Sequence, residues 1–176
     1  MRIACVLSDG FEDSEFRRPY DSFREAGHEV VILGNQAGAS LRGKAGKVTA
    51  RVDETVEQVT PDQFDALLIP GGYSPDHLRA ERKWVDFVKS FFTLDRPVFA
   101  VCHGPQLMIS ADVVAGRRMT AWRTVQDDLR HVPGVTVVDE EVVVDGNLVT
   151  SRQPGDLDAF VRESLALLAR VPAGAR

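Results

Sequence analysis

Cysteine is nearly absent from this chain: Cys5 and Cys102 are the only two in 176 residues. Two thiols make neither a disulfide framework nor a zinc quartet, so a reduced protein without a metal or other cofactor is expected. Basic blocks are missing too. Lys and Arg number 21 against 26 Asp and Glu, a formal net charge of −5, and no run of lysine or arginine stands out. That excludes a nucleic-acid footprint and an anionic membrane surface from the expected partners. No apolar run approaches the ~20 residues that cross a bilayer. The opening "MRIACVLSDG" passes straight into a strand pattern with no leader architecture, which points to the cytoplasm. Linkers, repeats and low-complexity segments are also lacking, so residues 1–176 read as one domain.

What is present is an alternation of short apolar runs and amphipathic stretches. "RIACVL", "HEVVIL", "FDALLIPGG" and "PVFAV" have the near-continuous apolar character of strands buried on both faces. Between them "EDSEFRRPYDSFREAG" reads as a helix that Pro19 should kink or loosen, and "ERKWVDFVKSFFTL" as one whose Trp84, Phe87, Val88, Phe91 and Phe92 share a face. "NQAGASLRGKAGK" reads as irregular and "VTARV" as a short strand. "GPQLMISADVVAG" reads as a helix running to Gly116. "TVVDEEVVVDGNLVTS" suggests a hairpin turning at Asp145-Gly146, "DLDAFVRESLALLARV" a closing helix, and "PAGAR" a frayed end. The βα alternation predicts an α/β fold: a flavodoxin-like, doubly wound, mostly parallel sheet with helices on both faces and a small hairpin in its C-terminal half.

In open α/β sheets ligands bind at the carboxyl ends of the strands. Three groups fall there: Gly10-Phe11-Glu12, Gly71-Gly72, and Cys102-His103. A residue between a strand and a helix sits on a sharp turn that exposes it, and a helix start favours a thiolate. Cys102 is therefore the candidate nucleophile, against the alternative of a buried core thiol; mid-strand Cys5 is assigned to the core. His103 is a candidate acid/base. Glu12 is either a helix N-terminal charge or, if it lies beside Cys102, a carboxyl held protonated by burial and by the thiolate. Gly71 and Gly72 are either a turn or a pair of oxyanion-binding amides.

These strings, "DGFEDSEFRRPYDSFREAGHEV", "FDALLIPGGYSPD", "PVFAVCHGPQLMISADVVAGRRMTAW" and "VVVDGNLVTSRQPGDLDAF", resemble the PfpI family of the DJ-1/PfpI superfamily over nearly the whole chain. The resemblance implies a fold similar to class I glutamine amidotransferases and self-association as a dimer or hexamer. By the same likeness Cys102 is the elbow nucleophile, Glu12 its protonated partner and His103 the neighbouring histidine. It further implies an acid reaching His103 from the adjacent subunit. The position after "GGYSP" is Asp76, where the family usually carries Glu; aspartate reaches roughly 1.5 Å less, one C–C bond. Trp122 takes a place near the pocket often held by tyrosine.

The chemistry so implied is thiolate attack on a carbonyl carbon. The leading expectation is a cofactor-free hydrolase of methylglyoxal, glyoxal or their early adducts with amines and thiols, active in stress protection. The alternatives are an intracellular cysteine peptidase and a redox-sensing stress protein or chaperone without turnover. Amidotransferase chemistry is disfavoured, because no histidine follows His131.

Overall fold

The computed structural model describes residues 1–172. In chain order the elements are β1 (Arg2–Val6), α1 (Asp13–Glu25), β2 (Glu29–Leu33), β3 (Ser40–Arg42), β4 (Thr49–Arg51), β5 (Ala66–Ile69), α2 (Ser74–Arg79) and α3 (Arg82–Thr93). They continue with β6 (Val98–Val101), α4 (Pro105–Ser110), β7 (Arg118–Met119), α5 (Arg123–Arg130), β8 (Thr136–Val137), β9 (Val143–Asp145), β10 (Leu148–Ser151) and α6 (Leu157–Leu168). The main sheet has the order β2-β1-β5-β6-β10-β9, and every pairing is parallel except β10 with β9.

Apolar continuity explains the order. "ALLI" and "VFAV" are buried at every position, as central parallel strands covered on both faces must be. One face packs against Trp84, Val88 and Phe91 of α3 with Leu107 and Met108 of α4. The other packs against Phe16 and Phe23 of α1 and Phe160 of α6, with the Phe23 and Phe99 rings 5.5 Å apart. Burying one such side chain is worth about 1.5–3 kcal/mol, so these two layers fix the sheet against which the loops are set.

Pro19 lies inside α1, as the sequence placed it. Other local expectations differ from what forms. The helix after Gly104 stops at Ser110 rather than Gly116: Asp112 turns left-handed (φ 56°), and Val114 beyond it is buried. The C-terminal hairpin pairs Asp145 with Leu148, so its turn is Gly146-Asn147 and not Asp145-Gly146. The Asp145 carboxylate explains the shift, since it accepts the Arg118 N–H at 3.0 Å and pairs with Arg117, holding Asp145 in the strand. Thr136-Val137 leaves that hairpin altogether and pairs with β7. The expected fraying of the last residues concerns 173–176, which lie outside the described residues.

The glycine-rich stretch read as irregular forms one arm of the β3–β4 hairpin. Its loop is held by Asp13, the first residue of α1, whose carboxylate accepts the N–H groups of Ala45, Lys47 and Val48 at 2.8–2.9 Å. Burial alone raises the Asp13 pKa, but the amides of Ala45, Val48 and Lys47 outweigh it and hold the carboxyl below its ordinary 3.8. Asp13 therefore stabilises the fold above that pH, and the contribution disappears as acid protonates it. We expect Asp13→Asn to cost about 2–3 kcal/mol at pH 7, the range of hydrogen bonds to a charged acceptor, measured by denaturant unfolding. The difference from wild type should shrink below pH 4, and an unchanged midpoint at pH 7 would refute this account of the loop.

Candidate active site

The end of β6 places Cys102 on a sharp elbow. Its φ is 62°, a left-handed conformation that costs a non-glycine residue ~1–2 kcal/mol. Two backbone bonds hold it there: Cys102 N–H to Ser151 O and Trp122 N–H to Cys102 O, both 2.9 Å. Gly104 N–H closes the turn onto Val101 O at 2.9 Å. The result is a thiol 7% exposed at the strand end, while Cys5 is wholly enclosed. Burial, and after it the charge of Asp53, pushes the Cys5 thiol far up, which leaves it inert.

The carboxyl against Cys102 is Glu15, not Glu12. Glu12 is the N-cap of α1: its Oε2 accepts the Glu15 N–H at 2.8 Å and the Ser14 hydroxyl at 2.5 Å. That fixes Glu12 on the helix end and makes Glu15 the third helical residue, whose side chain turns inward. Glu15 is fully buried, accepts the Gly71 N–H at 3.0 Å through Oε2, and lies against Cys102 across Gly71. Its Oε1 has no hydrogen-bond partner among the described residues. Burial first, and the charge of Glu12 second, push the Glu15 pKa up to about 8.

The Cys102 thiol is raised by burial, then by the Glu15 charge and hydrogen bond, against which the His103 N–H and Lys44 act. Below about pH 8 the second of these causes weakens, because Glu15 carries its proton. The thiol and the carboxyl thus titrate as a coupled pair.

Gly71 and Gly72 make this meeting possible. A Cβ on Gly71 would lie 2.3 Å from Glu15 Oε2 and 2.9 Å from Cys102 Cβ. A Cβ on Gly72 (φ 77°) would meet backbone, 2.4 Å from Glu12 N. The expected pair of oxyanion amides is reduced to one. The Gly71 N–H is occupied by Glu15, whereas the Gly72 N–H has no partner among the described residues, and Gly72 lines a cavity of about 280 Å³. Lys44, Tyr73, Asp76, His103 and Gln106 complete that lining.

His103 is half-buried, and its pKa is lowered chiefly by that burial, with the Gln106 contact working the other way. It is therefore neutral near pH 7. Its Nδ1 lies 3.3 Å from Gln106 Oε1, and in the tautomer that donates to that oxygen Nε2 is left to accept a proton. Trp122, the N-cap of α5, stacks on it with centroids 6.4 Å apart and planes 28° from parallel. Asp76 borders the same cavity from α2 but spends its carboxylate on Arg79 at 2.9 Å; within the chain it makes no hydrogen bond to His103. Sequence reasoning missed Glu15, Gln106 and Lys44. Glu12-x-x-Glu15 at a helix start was the available signal, since the first acid of such a pair is the natural cap. Among the described residues no group of three or more His, Cys, Asp or Glu is arranged to hold a metal ion, and no helix is long and apolar enough to cross a membrane.

A parallel α/β sheet with a cysteine on a left-handed elbow and a buried carboxyl on its sulfur defines a class of elbow-thiol proteins. Within it, this chain belongs to the DJ-1/PfpI family, whose model matches residues 1–167. It is 51% identical to protein/nucleic acid deglycase 2 of Escherichia coli K12 over 168 residues, 95% of this chain and 97% of that one. It is 49% identical to general stress protein 18 of Bacillus subtilis 168, again over 95% and 97% of the two chains. Among solved structures, a two-domain Anabaena variabilis protein with DJ-1/ThiJ/PfpI-like and ferritin-like domains superposes with a TM-score of 0.92 at 38% identity, covering 96% of this chain and 48% of that one.

The raised Glu15 pKa has a measurable sign. The folded state keeps a proton that the unfolded chain releases above 4.5, so stability is fullest below that pH and falls as pH rises toward about 8. In Glu15→Gln this slope should vanish. Melting temperatures at pH 5 and pH 8 check it: wild type loses stability relative to the variant at the higher pH, and parallel pH profiles would contradict a protonated Glu15.

Proposed function

We propose that this protein is a cofactor-independent cysteine hydrolase of reactive carbonyls, acting on methylglyoxal, glyoxal or their early glycation adducts in cytoplasmic stress protection. The observation that carries the reading is the pairing of the Cys102 thiol with a buried carboxyl that stays protonated near neutral pH. The deglycase and stress-protein names of close relatives support it.

The steps follow from the groups available. Sulfur adds to the aldehyde carbon, the C=O electron pair moves to oxygen, and a proton completes a hemithioacetal. Proton transfer from C1 to C2 through the enediol converts this to a 2-hydroxy thioester with no net redox change. Water then adds to the thioester carbonyl and the C–S bond breaks, returning the thiol and releasing a hydroxy acid. Methylglyoxal plus water becomes lactate. Glu15 supplies and recovers protons on one side of the sulfur, and Nε2 of neutral His103 is the second proton carrier. The free Gly72 N–H is the candidate donor to the developing oxyanion.

We further infer that copies of the chain associate over the cavity mouth, as a dimer or hexamer, with Asp76 approaching His103 of a neighbour. Tyr73, 64% exposed beside the exposed Asp76, is the kind of surface such a contact covers.

Lactate formation from methylglyoxal, in buffer free of amines and thiols, tests the chemistry. Wild type should produce lactate, Cys102→Ser should abolish it, and Glu15→Gln should lower it by about 10²-fold or more. Glu12→Gln should stay within tenfold of wild type and move the alkaline limb of the pH profile downward, because it removes a charge that raises the Glu15 pKa. No lactate from folded wild type would sink the proposal. Casein turnover lost in Cys102→Ser would establish the peptidase alternative in its place.

A further inference from the structure

The loop between β3 and β4 is over-anchored for a surface turn. One buried carboxylate holds three of its amides, Lys44 N–H bonds Phe11 O at 2.8 Å, and Gly43 N–H bonds Val48 O at 2.9 Å. Gly43 is pressed so closely on Asp13 that a Cβ there would lie 2.4 Å from the carboxylate. The side chain this anchoring delivers to the candidate site is Lys44. Its ammonium lies 6.0 Å from the Tyr73 ring centroid, and the residue lines the cavity shared with His103, Gln106 and Gly72.

Its surroundings leave that charge uncompensated. No carboxylate lies within ion-pair distance of Lys44 among the described residues, whereas the acid on the same cavity, Asp76, is neutralised by Arg79. His103 is neutral near pH 7, and its neighbours Gln106 and Gly72 carry no ionisable group. The cavity lining therefore carries one ammonium with no carboxylate in ion-pair contact, on an anchored loop, while its one carboxylate is engaged by Arg79.

We infer that Lys44 is a recognition residue for an anionic group, a carboxylate or a phosphate, carried by the carbonyl compound that reaches Cys102. Asp13 is its positioning residue, acting through the loop. The inference deepens the proposed function and rests on Cys102 being the reactive thiol. A substrate whose non-reacting half ends in an anion gains an ion pair here, whereas a cationic one meets repulsion at the mouth.

A pair of alkylating agents tests this without relying on turnover. Iodoacetate and iodoacetamide react in the same way: the thiolate displaces iodide, an S–C bond forms, and the C–I bond breaks. They differ in charge, so the ratio of their rates at Cys102, followed by mass spectrometry, cancels any change in thiolate content. The wild-type ratio should exceed that of Lys44→Gln by roughly three- to tenfold at low salt, the scale of one partly screened ion pair. Lys44→Arg should keep the preference, and added salt should erode it. Equal ratios in wild type and Lys44→Gln would overturn the inference while leaving the nucleophile intact. Absence of alkylation at Cys102 by either agent would remove the nucleophile and the inference together.

Turnover then separates the sources of the anion. Methylglyoxal hemithioacetals of N-acetylcysteine and of its amide compare a carboxylate with a neutral group, and adducts of guanosine monophosphate and guanosine compare a phosphate with none. In at least one pair the anionic member should have the higher kcat/KM, and Lys44→Gln should narrow that preference several-fold. No Lys44-dependent preference in either pair would overturn the assignment.

Discussion

Three strand ends converge because one carboxyl and one thiol need the same small space. Glu15 comes from α1, the amide that donates to it comes from the turn after β5, and the sulfur comes from the elbow after β6. Each requirement constrains the others. Glu15 can be buried only if it keeps a proton or finds donors; the Gly71 amide satisfies one oxygen, and the thiol faces the same carboxyl. The left-handed Cys102 is tolerated only because neighbouring backbone fixes it on both sides. The absence of side chains at Gly71 and Gly72 is as much a part of this geometry as the charged groups.

α1 assigns opposite environments to two acids within one turn. Asp13 meets three amides and stays ionised, and Glu15 meets a thiol and one amide in a desolvated slot. The difference comes from donors, not residue type: charge survives burial where several N–H groups converge. Asp13 thereby connects the hairpin that carries Lys44 to the helix that carries Glu15, so the mouth and the floor of the site share one rigid support.

Much of this was legible in the amino-acid order. The buried strands announced themselves as "ALLI" and "VFAV", and the elbow as a thiol between an apolar run and Gly-Pro. Of the glycine pair, Gly71 lies against that thiol, and Trp122, which the family resemblance put near the pocket, stacks on His103. Glu12 was mistaken for Glu15 because identifying the inward acid requires the first helical residue, and a shift of three along a helix start exchanges a cap for a buried side chain. Gln106 escaped notice because an uncharged amide one turn beyond a histidine carries no signal without the contact it makes. Lys44 was hidden in a stretch whose glycines suggested disorder of conformation, when the anchor for that stretch lies some thirty residues earlier in the chain. The hairpin turn moved by one residue for a similar reason: a distant arginine pair decided where Asp145 belonged.

The placement of β10 has a consequence for how the chain comes into being. β6 lies between β5 and β10, and the amide of Cys102 is held by Ser151. While a ribosome has made everything up to the elbow but not yet the last quarter, β6 is an unguarded outer strand and the reactive sulfur stands on an unsupported bend. The elbow's last backbone support is thus synthesised well after the thiol, Glu15 and Gly71, and the bend is held on both sides only once that closing strand is in place.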